Sequence, residues 1–320
     1  MGIIRQKVGF YMHPRVYVAG HTGMVGSAIC RRLAAENMTV VKPSSRVDLT
    51  NQGAVNELIS ELAPDWIFLA AARVGGIHAN SSFPADFIYV NLMIECNLIR
   101  AAFENNVKKL LFLGSSCIYP RNCPQPIKEQ YLLSDYLEPT NKPYAIAKIA
   151  GIVMAQSFSR QYGCNFISVM PSNLYGPFDN FDLKESHVIP ALIRKTHEAK
   201  ISNAPFVEIW GTGKPFREFL HVDDLADACL FLMKYYHSAE LINIGSGTDQ
   251  SVAELAERIR DVVEYRGEIR FNPAMPDGTP RKLLDISKLK ALGWSPSINL
   301  SGGLRRTYAW YLENEAIARK

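Results

Sequence analysis

The chain has 320 residues, of which 48% are apolar and 21% charged, with a formal net charge of +4. This length suits one large α/β domain with a smaller companion, and no apolar run reaches the roughly 18 residues that span a membrane. Basic and acidic residues are interleaved, which favours an anionic small molecule over nucleic acid as the partner. Six scattered cysteines predict free thiols and a reducing, cytoplasmic compartment. Residues 1–13 are expected to form a loose extension and not a signal peptide.

The first predicted element is a strand over 16–19, followed by a glycine-rich turn and by helical spacing over 27–35. Glycines allow a tight turn that brings a pyrophosphate to the N-terminus of a helix. Taken alone, such a turn is weak evidence, because glycines often serve only close packing. The residues predicted to contact a dinucleotide here are Gly20, His21, Thr22, Gly23, Met24, Val25 and Gly26.

The second predicted strand, 39–41, is followed by cations where NAD-binding proteins carry an acidic residue for the ribose 2′-hydroxyl. Arg46, helped by Lys42, therefore favours the 2′-phosphate of NADP. The alternative is that each cation is an ordinary solvated loop charge.

A helix is predicted to open at Asp48 and Leu49 and to run to about residue 62. Asp48 either helps to cap this helix or contacts an adenine amine at the sheet edge. The third strand, 66–70, continues into small residues, including Ala70 and Ala71, against which a cofactor can lie.

Strands and helices continue to alternate through the first half of the chain, which predicts crossover units and a doubly wound parallel sheet of the Rossmann type. The remaining elements predicted in this half are a helix over 84–105, a strand over 110–113, a helix over 143–162 and a strand over 166–170.

The regular alternation of strands and helices ends after Pro171, and a strand near 241–244 is expected to return to the first sheet. We therefore predict a smaller, discontinuous α/β domain for the substrate. The nucleotide-binding domain is predicted to comprise 14–171 and 218–247, and the substrate domain 172–217 and 248–320.

Polar side chains follow the fourth strand at Leu113, Gly114 and Ser115, at the sheet edge where open α/β sheets bind ligands. Tyr144 and Lys148 are four residues apart on a predicted helix and so share a face. The ammonium is expected to lower the pKa of the phenol, which would donate a proton to a carbonyl oxygen as hydride arrives. Ser115 could hydrogen-bond that oxygen. The spacing alone is often accidental, but the glycine turn and Ser115 favour catalysis.

At this point the sequence resembles the extended short-chain dehydrogenases/reductases. The shared motifs are Gly20-x-x-Gly23-x-x-Gly26, Asp48-Leu49, Ser115-Ser116, Tyr144-x-x-x-Lys148, Pro171-x-Asn173 and Arg217-x-Phe219 with Asp223-Asp224. Within that superfamily, segments 74–77, 114–120, 143–151, 179–181, 186–190 and 276–282 resemble the GDP-L-fucose synthases. The resemblance runs from about Arg15 to the C-terminus.

The resemblance implies an NADPH-dependent enzyme that epimerises GDP-4-keto-6-deoxy-D-mannose at C3 and C5 and then reduces C4 to give GDP-L-fucose. It implies that Cys117 is the base and His187 the acid of the epimerisation, although both residue types often serve only packing or capping. A cationic neighbour or the bound nicotinamide would help Cys117 to ionise. Further cofactor contacts implied by the family are Leu113, Gly114, Pro171, Asn173, Leu174 and His187.

The family places four residues of this sequence at the sugar nucleotide: Lys195, Trp210, Arg217 and Asp277. Arg217 can grip a pyrophosphate with its planar fork, and Trp210 can pack against the ligand. Lys195 stands where bacterial members carry arginine, so it would act as a point charge. Thr22 also replaces an arginine, which leaves the preference for NADP resting on Arg46.

The resemblance further implies a homodimer formed through the helices at 84–105 and 143–162, with no metal site and no membrane partner. Two alternatives remain open. One is a related nucleotide-sugar 4-reductase or epimerase with another base or sugar. The other is a non-catalytic dinucleotide-sensing regulator, which is disfavoured because such proteins typically lose the Tyr144 and Lys148 pair.

Overall fold

The computed structural model describes residues 14–183, 185–275, 277–316 and 318. The predicted extension 1–13 and Pro276 of the 276–282 motif lie outside these residues. The strands are β1 Val16–Ala19, β2 Val40–Val41, β3 Trp66–Leu69, β4 Lys109–Leu113, β5 Phe166–Pro171, β6 Asn173–Tyr175, β7 Phe206–Trp210, β8 Phe216–His221, β9 Ile242–Ile244, β10 Asp249–Ser251, β11 Glu268–Asn272 and β12 Arg281–Lys282. The helices are α1 Met24–Ala34, α2 Gln52–Leu62, α3 Ile77–Ser82, α4 Pro84–Glu104, α5 Lys142–Tyr162, α6 Val188–Ile201, α7 Val222–Tyr235, α8 Val252–Val263, α9 Ser287–Ala291 and α10 Leu300–Asn314.

The larger sheet has six parallel strands in the order β2-β1-β3-β4-β5-β9. The predicted doubly wound parallel sheet is thus confirmed, including the return of β9. The order reverses beside β1, because β2 and β3 lie on its two sides, and open α/β sheets bind ligands at such a reversal.

Both faces of this sheet are covered, as a parallel sheet requires. On β3, Ile67 and Leu69 join the apolar cluster formed with α2, α4 and α5, whereas Phe68 joins the cluster formed with α1 and α7. This alternation follows from the period of two along a strand. The sheet is therefore a rigid support for the side chains at its carboxyl edge.

A second layer is built from shorter strands. Strand β8 pairs with β6, β10 and β12, strand β7 pairs with β11, and a separate apolar cluster lies beneath α6, α8 and α10. Beyond β12 the chain returns to the large sheet, where Leu284, Leu289 and Trp294 are buried in its two clusters. The domain boundaries given above remain a prediction.

Two helix starts differ from the sequence-based prediction. Helix α1 begins at Met24 because Gly23 is its N-cap. Helix α2 begins at Gln52, capped by Asn51, whose side chain accepts the Ala54 N–H at 3.0 Å. Asp48 therefore does not cap the helix; its Oδ1 accepts hydrogen bonds from the backbone and hydroxyl of Thr50. Within the described part of the chain, no helix is long and apolar enough to cross a membrane.

Candidate active site

The glycine turn after β1 is packed so closely that side chains are excluded. Gly20 has a φ of +85°, and a Cβ there would lie 2.9 Å from the Ala71 nitrogen. A Cβ on Gly26 would lie 2.1 Å from the Gly20 oxygen. His21, Thr22, Met24 and Val25 occupy the same turn and the start of α1. The turn thus leaves room for a pyrophosphate at a helix N-terminus, as a dinucleotide needs.

The predicted adenosine end lies past β2. Arg46 is exposed, and hydrogen bonds from Thr50, then the Arg46 charge, lower the pKa of Asp48. The Leu49 carbonyl accepts a hydrogen bond from Asn97 at 3.1 Å, which fixes this loop to α4. Ala70 is half-buried at the end of β3. The arrangement suits a ribose phosphate near Arg46, and the preference for NADP over NAD stays a prediction.

At the end of β4, a single turn carries two reactive side chains. Gly114 donates to the Val169 carbonyl at 2.9 Å, and a Cβ on it would lie 2.5 Å from the Met170 sulfur. The next residue, Ser115, caps a 3₁₀ turn over Ser116–Ile118 by accepting the Cys117 N–H at 3.2 Å. The hydroxyl and the thiol are therefore held two residues apart on one rigid loop.

Tyr144 faces this turn, as the sequence predicts, but its ionisation differs from the prediction. Burial raises the pKa of Tyr144, the nearby Cys117 and Glu95 raise it further, and a hydrogen bond with Ser115 acts in the opposite direction. The expectation that Lys148 brings this pKa towards neutrality is wrong for this structure, because burial dominates. The phenol accordingly keeps its proton at neutral pH, as a proton donor must.

Lys148 lies in the core beneath Tyr144. Its Nζ donates to the Leu113 carbonyl at 3.1 Å and lies 2.9 Å from Glu95 Oε1. The ammonium is 5.9 Å from the centre of the Tyr144 ring. The sequence analysis did not identify Glu95. It is one of several polar residues in α4, and no motif distinguishes it from the others.

Cys117 has a cationic neighbour that the sequence analysis did not identify. The Lys282 Nζ lies 3.6 Å from the Cys117 sulfur. Lys282 belongs to the 276–282 motif, but only the fold brings β12 to this turn. The Arg217 side chain is also within electrostatic reach of Cys117. Two cationic side chains thus lie near the thiol.

His187 is the N-cap of α6, on the loop that faces the end of β3. Its side chain retains solvent exposure, yet desolvation by the surrounding protein lowers its pKa. The loop is held by the Gly76 N–H, which donates to the Glu185 carbonyl at 2.9 Å. A Cβ on Gly76 would lie 3.0 Å from the Ser186 oxygen, so glycine permits this docking.

The remaining cofactor positions lie after β5. Pro171 is the last residue of β5, and Leu174 lies in β6. The Asn173 side chain donates to the Glu218 carbonyl at 2.9 Å, which joins β6 to β8. Pro171 ends the strand next to β4, on the side of β4 that is away from β2, whereas Asn173 and Leu174 belong to the strand paired with β8.

The four predicted substrate residues form two pairs. Lys195 Nζ lies 5.3 Å from the centre of the Trp210 ring, which is 52% exposed and free to stack on a planar ligand. Burial lowers the pKa of Arg217, and Asp277 acts against this. Asp277 is held by Thr212, whose N–H and hydroxyl donate to it at 2.6 and 2.8 Å. The two pairs offer cations and an aromatic face to an anionic ligand.

The chain was compared with known proteins. The model of the NAD dependent epimerase/dehydratase family matches residues 16–245. GDP-L-fucose synthase 1 of Arabidopsis thaliana is 56% identical over 302 residues, covering 94% of this chain and 94% of the relative. GDP-L-fucose synthase of Escherichia coli is 53% identical, covering 94% and 97%. The solved GDP-L-fucose synthetase of Naegleria fowleri bound to NADP has a TM-score of 0.89 at 28% identity and covers 96% of both chains.

Both relatives cover nearly the whole chain. The chain belongs to the NAD dependent epimerase/dehydratase family, among the extended short-chain dehydrogenases/reductases that include the GDP-L-fucose synthases.

Proposed function

We propose that this protein converts GDP-4-keto-6-deoxy-D-mannose to GDP-L-fucose, by epimerising C3 and C5 and then reducing C4 with NADPH. The observation that carries the proposal is the capped turn at 115–118, which presents a hydroxyl and a thiol to Tyr144. The full-length similarity to GDP-L-fucose synthases supports the choice of substrate.

In the reductive half, Tyr144 donates its phenolic proton to O4 while Ser115 hydrogen-bonds the same oxygen. Bound NADPH supplies the hydride that reaches C4. Lys148 lies beneath the phenol, where its positive charge stabilises the phenolate left by proton transfer. The glycine turn, Ala70, Ala71 and Arg46 are the groups that fit a dinucleotide phosphate and ribose at this edge.

In the epimerising half, the 4-keto group acidifies the hydrogens on C3 and C5. The Cys117 thiolate removes a proton from one face of the sugar, and the His187 ring N–H returns one to the other face. The Lys282 ammonium at 3.6 Å stabilises the negative charge on the sulfur. Desolvation lowers the pKa of His187, which favours release of its proton to the sugar.

The sugar nucleotide is held by the second layer of the molecule. Arg217 and Lys195 match the pyrophosphate charges, and the exposed face of Trp210 offers a stacking surface for the guanine ring. Asp277 orients this region by its two bonds to Thr212.

Two substitutions separate the two chemistries. Tyr144→Phe should abolish NADPH oxidation with GDP-4-keto-6-deoxymannose, while solvent deuterium still enters C3 and C5. Cys117→Ser should block deuterium uptake, whereas Cys164→Ser, at another half-buried free cysteine, should change it by no more than about twofold.

Each result has a contrary outcome. Reduction by Tyr144→Phe at the wild-type rate would remove Tyr144 from the proton transfer. Unchanged exchange in Cys117→Ser would remove the thiol from the epimerisation. No NADPH oxidation by the wild-type protein with this substrate would favour a dinucleotide-sensing protein.

Two further features are part of the proposal. Apolar side chains stay exposed along α4 and α5, including Tyr89, Val153 and Tyr162, and we infer that two copies pair through these helices. All six cysteines are free, which fits a reducing compartment such as the cytoplasm.

A further inference from the structure

Helices α4 and α5 bury an ion pair between Glu95 and Lys148. The Nζ and Oε1 atoms are 2.9 Å apart, and the side chains are 2% and 1% exposed for Lys148 and Glu95. Charged side chains are almost never buried unless they are paired, and taking both out of water costs stability even then. An ion pair kept at such depth beside Tyr144 therefore invites a functional explanation.

The pair determines which way the ammonium points. An ammonium has three N–H donors. One faces Glu95, and a second is donated to the Leu113 carbonyl at 3.1 Å, while the Phe112 ring lies 4.8 Å from the nitrogen. The third donor has no acceptor among the described residues. Glu95 and Leu113 together thus hold the nitrogen in one place with one direction free.

Space for the carboxylate is provided by Gly151, on the same face of α5 as Lys148. A Cβ at Gly151 would lie 2.7 Å from Glu95 Oε2 and 2.5 Å from the Phe112 ring. Neither Glu95 oxygen has a further hydrogen-bond donor among the described residues. Among the described residues, Lys148 is thus the one side chain that forms an ion pair with this carboxylate.

The charges of Glu95 and Lys148 also indicate that the two side chains depend on each other. Burial raises the pKa of Glu95, and the Lys148 ammonium acts against that rise. A buried ammonium without a counter-charge tends to lose its proton or to move towards solvent. Removing the carboxylate would therefore loosen Lys148 or discharge it.

We propose that Glu95 is a positioning residue of the reductase, which fixes Lys148 so that its free N–H meets the cofactor and its charge stays beneath Tyr144. This inference deepens the proposed function and rests on it for the catalytic part. Glu95 itself touches neither the phenol nor the sugar in this account. Its charge also raises the pKa of Tyr144, but its direct contact is with Lys148.

The test is Glu95→Gln, which keeps the size of the side chain and removes its charge. Reduction should slow by about 10- to 100-fold, because Lys148 is misplaced. The dissociation constant of NADPH, measured by fluorescence, should rise, while deuterium uptake at C3 and C5 stays within about threefold. The matched control is Glu104→Gln on the same helix, which loses a surface ion pair to Arg100 and should leave all three quantities unchanged.

A purely structural role gives a different pattern. In that case Glu95→Gln would lower the melting temperature but leave the reduction rate and the NADPH affinity as in the wild type, and the proposal would be overturned. A double-mutant cycle further separates the positioning role of Glu95 from a structural role. Once Lys148→Met is present, Glu95→Gln should weaken NADPH binding no further, and a full additional loss would also overturn the proposal.

The test still decides the proposal if Glu95→Gln does not fold or if the wild-type protein does not reduce the ketosugar. If Glu95→Gln does not fold, Glu95→Asp retains the charge but withdraws it by one methylene; an intermediate loss of reduction is expected, and a wild-type rate would contradict the proposal. NADPH affinity needs no sugar substrate. A wild-type protein that binds NADPH but does not reduce the ketosugar would therefore contradict the proposed function and leave the role of Glu95 still testable.

Discussion

Tyr144 shows how burial can outweigh a neighbouring charge. Its pKa is raised mainly by desolvation, even though a lysine ammonium lies 5.9 Å from its ring. A phenol with a raised pKa stays protonated above neutral pH, as the proposed proton donor to O4 must. Ser115 supplies the opposing effect through its hydrogen bond.

The raised pKa of Tyr144 predicts that the rate of reduction changes little with pH. Single-turnover reduction by the wild-type enzyme should keep its rate from about pH 7 to about pH 9, because a raised pKa moves the loss of the phenolic proton to higher pH. The measurement is NADPH absorbance with pre-epimerised substrate. A decline with a midpoint near neutrality would show that the bound cofactor or substrate reverses the shift.

Lys282 gives a second prediction about a single side chain. Lys282→Met should slow deuterium uptake at C3 and C5 by about tenfold or more, because the sulfur loses the ammonium 3.6 Å away. Lys288→Met, which removes an exposed ion pair with Glu240, should leave the exchange unchanged. Mass spectrometry of the recovered sugar nucleotide measures the deuterium uptake of both variants. Equal exchange rates in the two variants would show that Lys282 does not assist the thiol.

The sequence predicts those site residues whose relation is local. Tyr144 and Lys148 share a helix face, and Ser115 ends a strand, so pattern and topology are enough to bring them together. Lys282 and Cys117 are 165 positions apart, and only the register of β12 against β8 joins them. Glu95 meets Lys148 through helix packing, which periodicity does not encode. The direction of the Tyr144 shift was mispredicted for the same reason, since burial is a property of the packed molecule.

Elements with strong patterns are predicted better than short ones. Strands β3, β4 and β5 consist mostly of apolar residues, and their predicted limits differ from the observed limits by one residue at most. Strand β12 has two residues and β10 has three, neither fully buried, so no periodicity marks them. These strands form because β8 offers them a pairing edge.

The start of β4 holds the end of a neighbouring helix. Lys109 is 2% exposed, and its Nζ donates to the carbonyls of Leu232, Met233 and Tyr236, which close α7. Burial lowers the pKa of Lys109 to about 7, so the hydrogen bonds matter here more than the charge. Carbonyls at the end of a helix lack partners within the helix, and a cation there is favourable. This side chain therefore fastens α7 to the sheet.

Lys109→Met should lower the free energy of unfolding by about 1–3 kcal/mol, because buried carbonyls lose their donor. The adjacent Lys108→Met removes an ion pair with Asp65 at a 45% exposed side chain and should cost no more than about 1 kcal/mol. Urea denaturation followed by circular dichroism compares the two. Equal losses would mean that the buried ammonium contributes no more than a surface pair.

Across the whole molecule, the two long helices α4 and α5 pack side by side and turn apolar residues outward. Tyr89 is 63% exposed and Val153 46% exposed on these helices. Large exposed apolar side chains on neighbouring helices indicate a surface that another protein covers. A second copy of the chain is the partner that the family resemblance implies.

Light scattering tests this pairing. The wild-type protein should have twice the chain mass of 35.8 kDa, and Tyr89→Glu should yield the single-chain mass. Tyr235→Glu, at a 64% exposed tyrosine on α7, should leave the dimer intact. A wild-type monomer, or a dimer in all three proteins, would place the interface elsewhere or exclude it.

The capped turn at 115–118 bears on how enzymes of this kind diversify. Ser115 binds the backbone N–H of Cys117 and not its sulfur, so the side chain at 117 can change while the loop keeps its shape. One substitution there would leave a ketone reductase whose product retains the configuration of the incoming sugar at C3 and C5. Losing reduction instead requires a change at Tyr144, whose hydroxyl shares the Ser115 hydrogen bond. A simple 4-reductase is thus one side-chain substitution away from this architecture, with no change to the backbone of the loop.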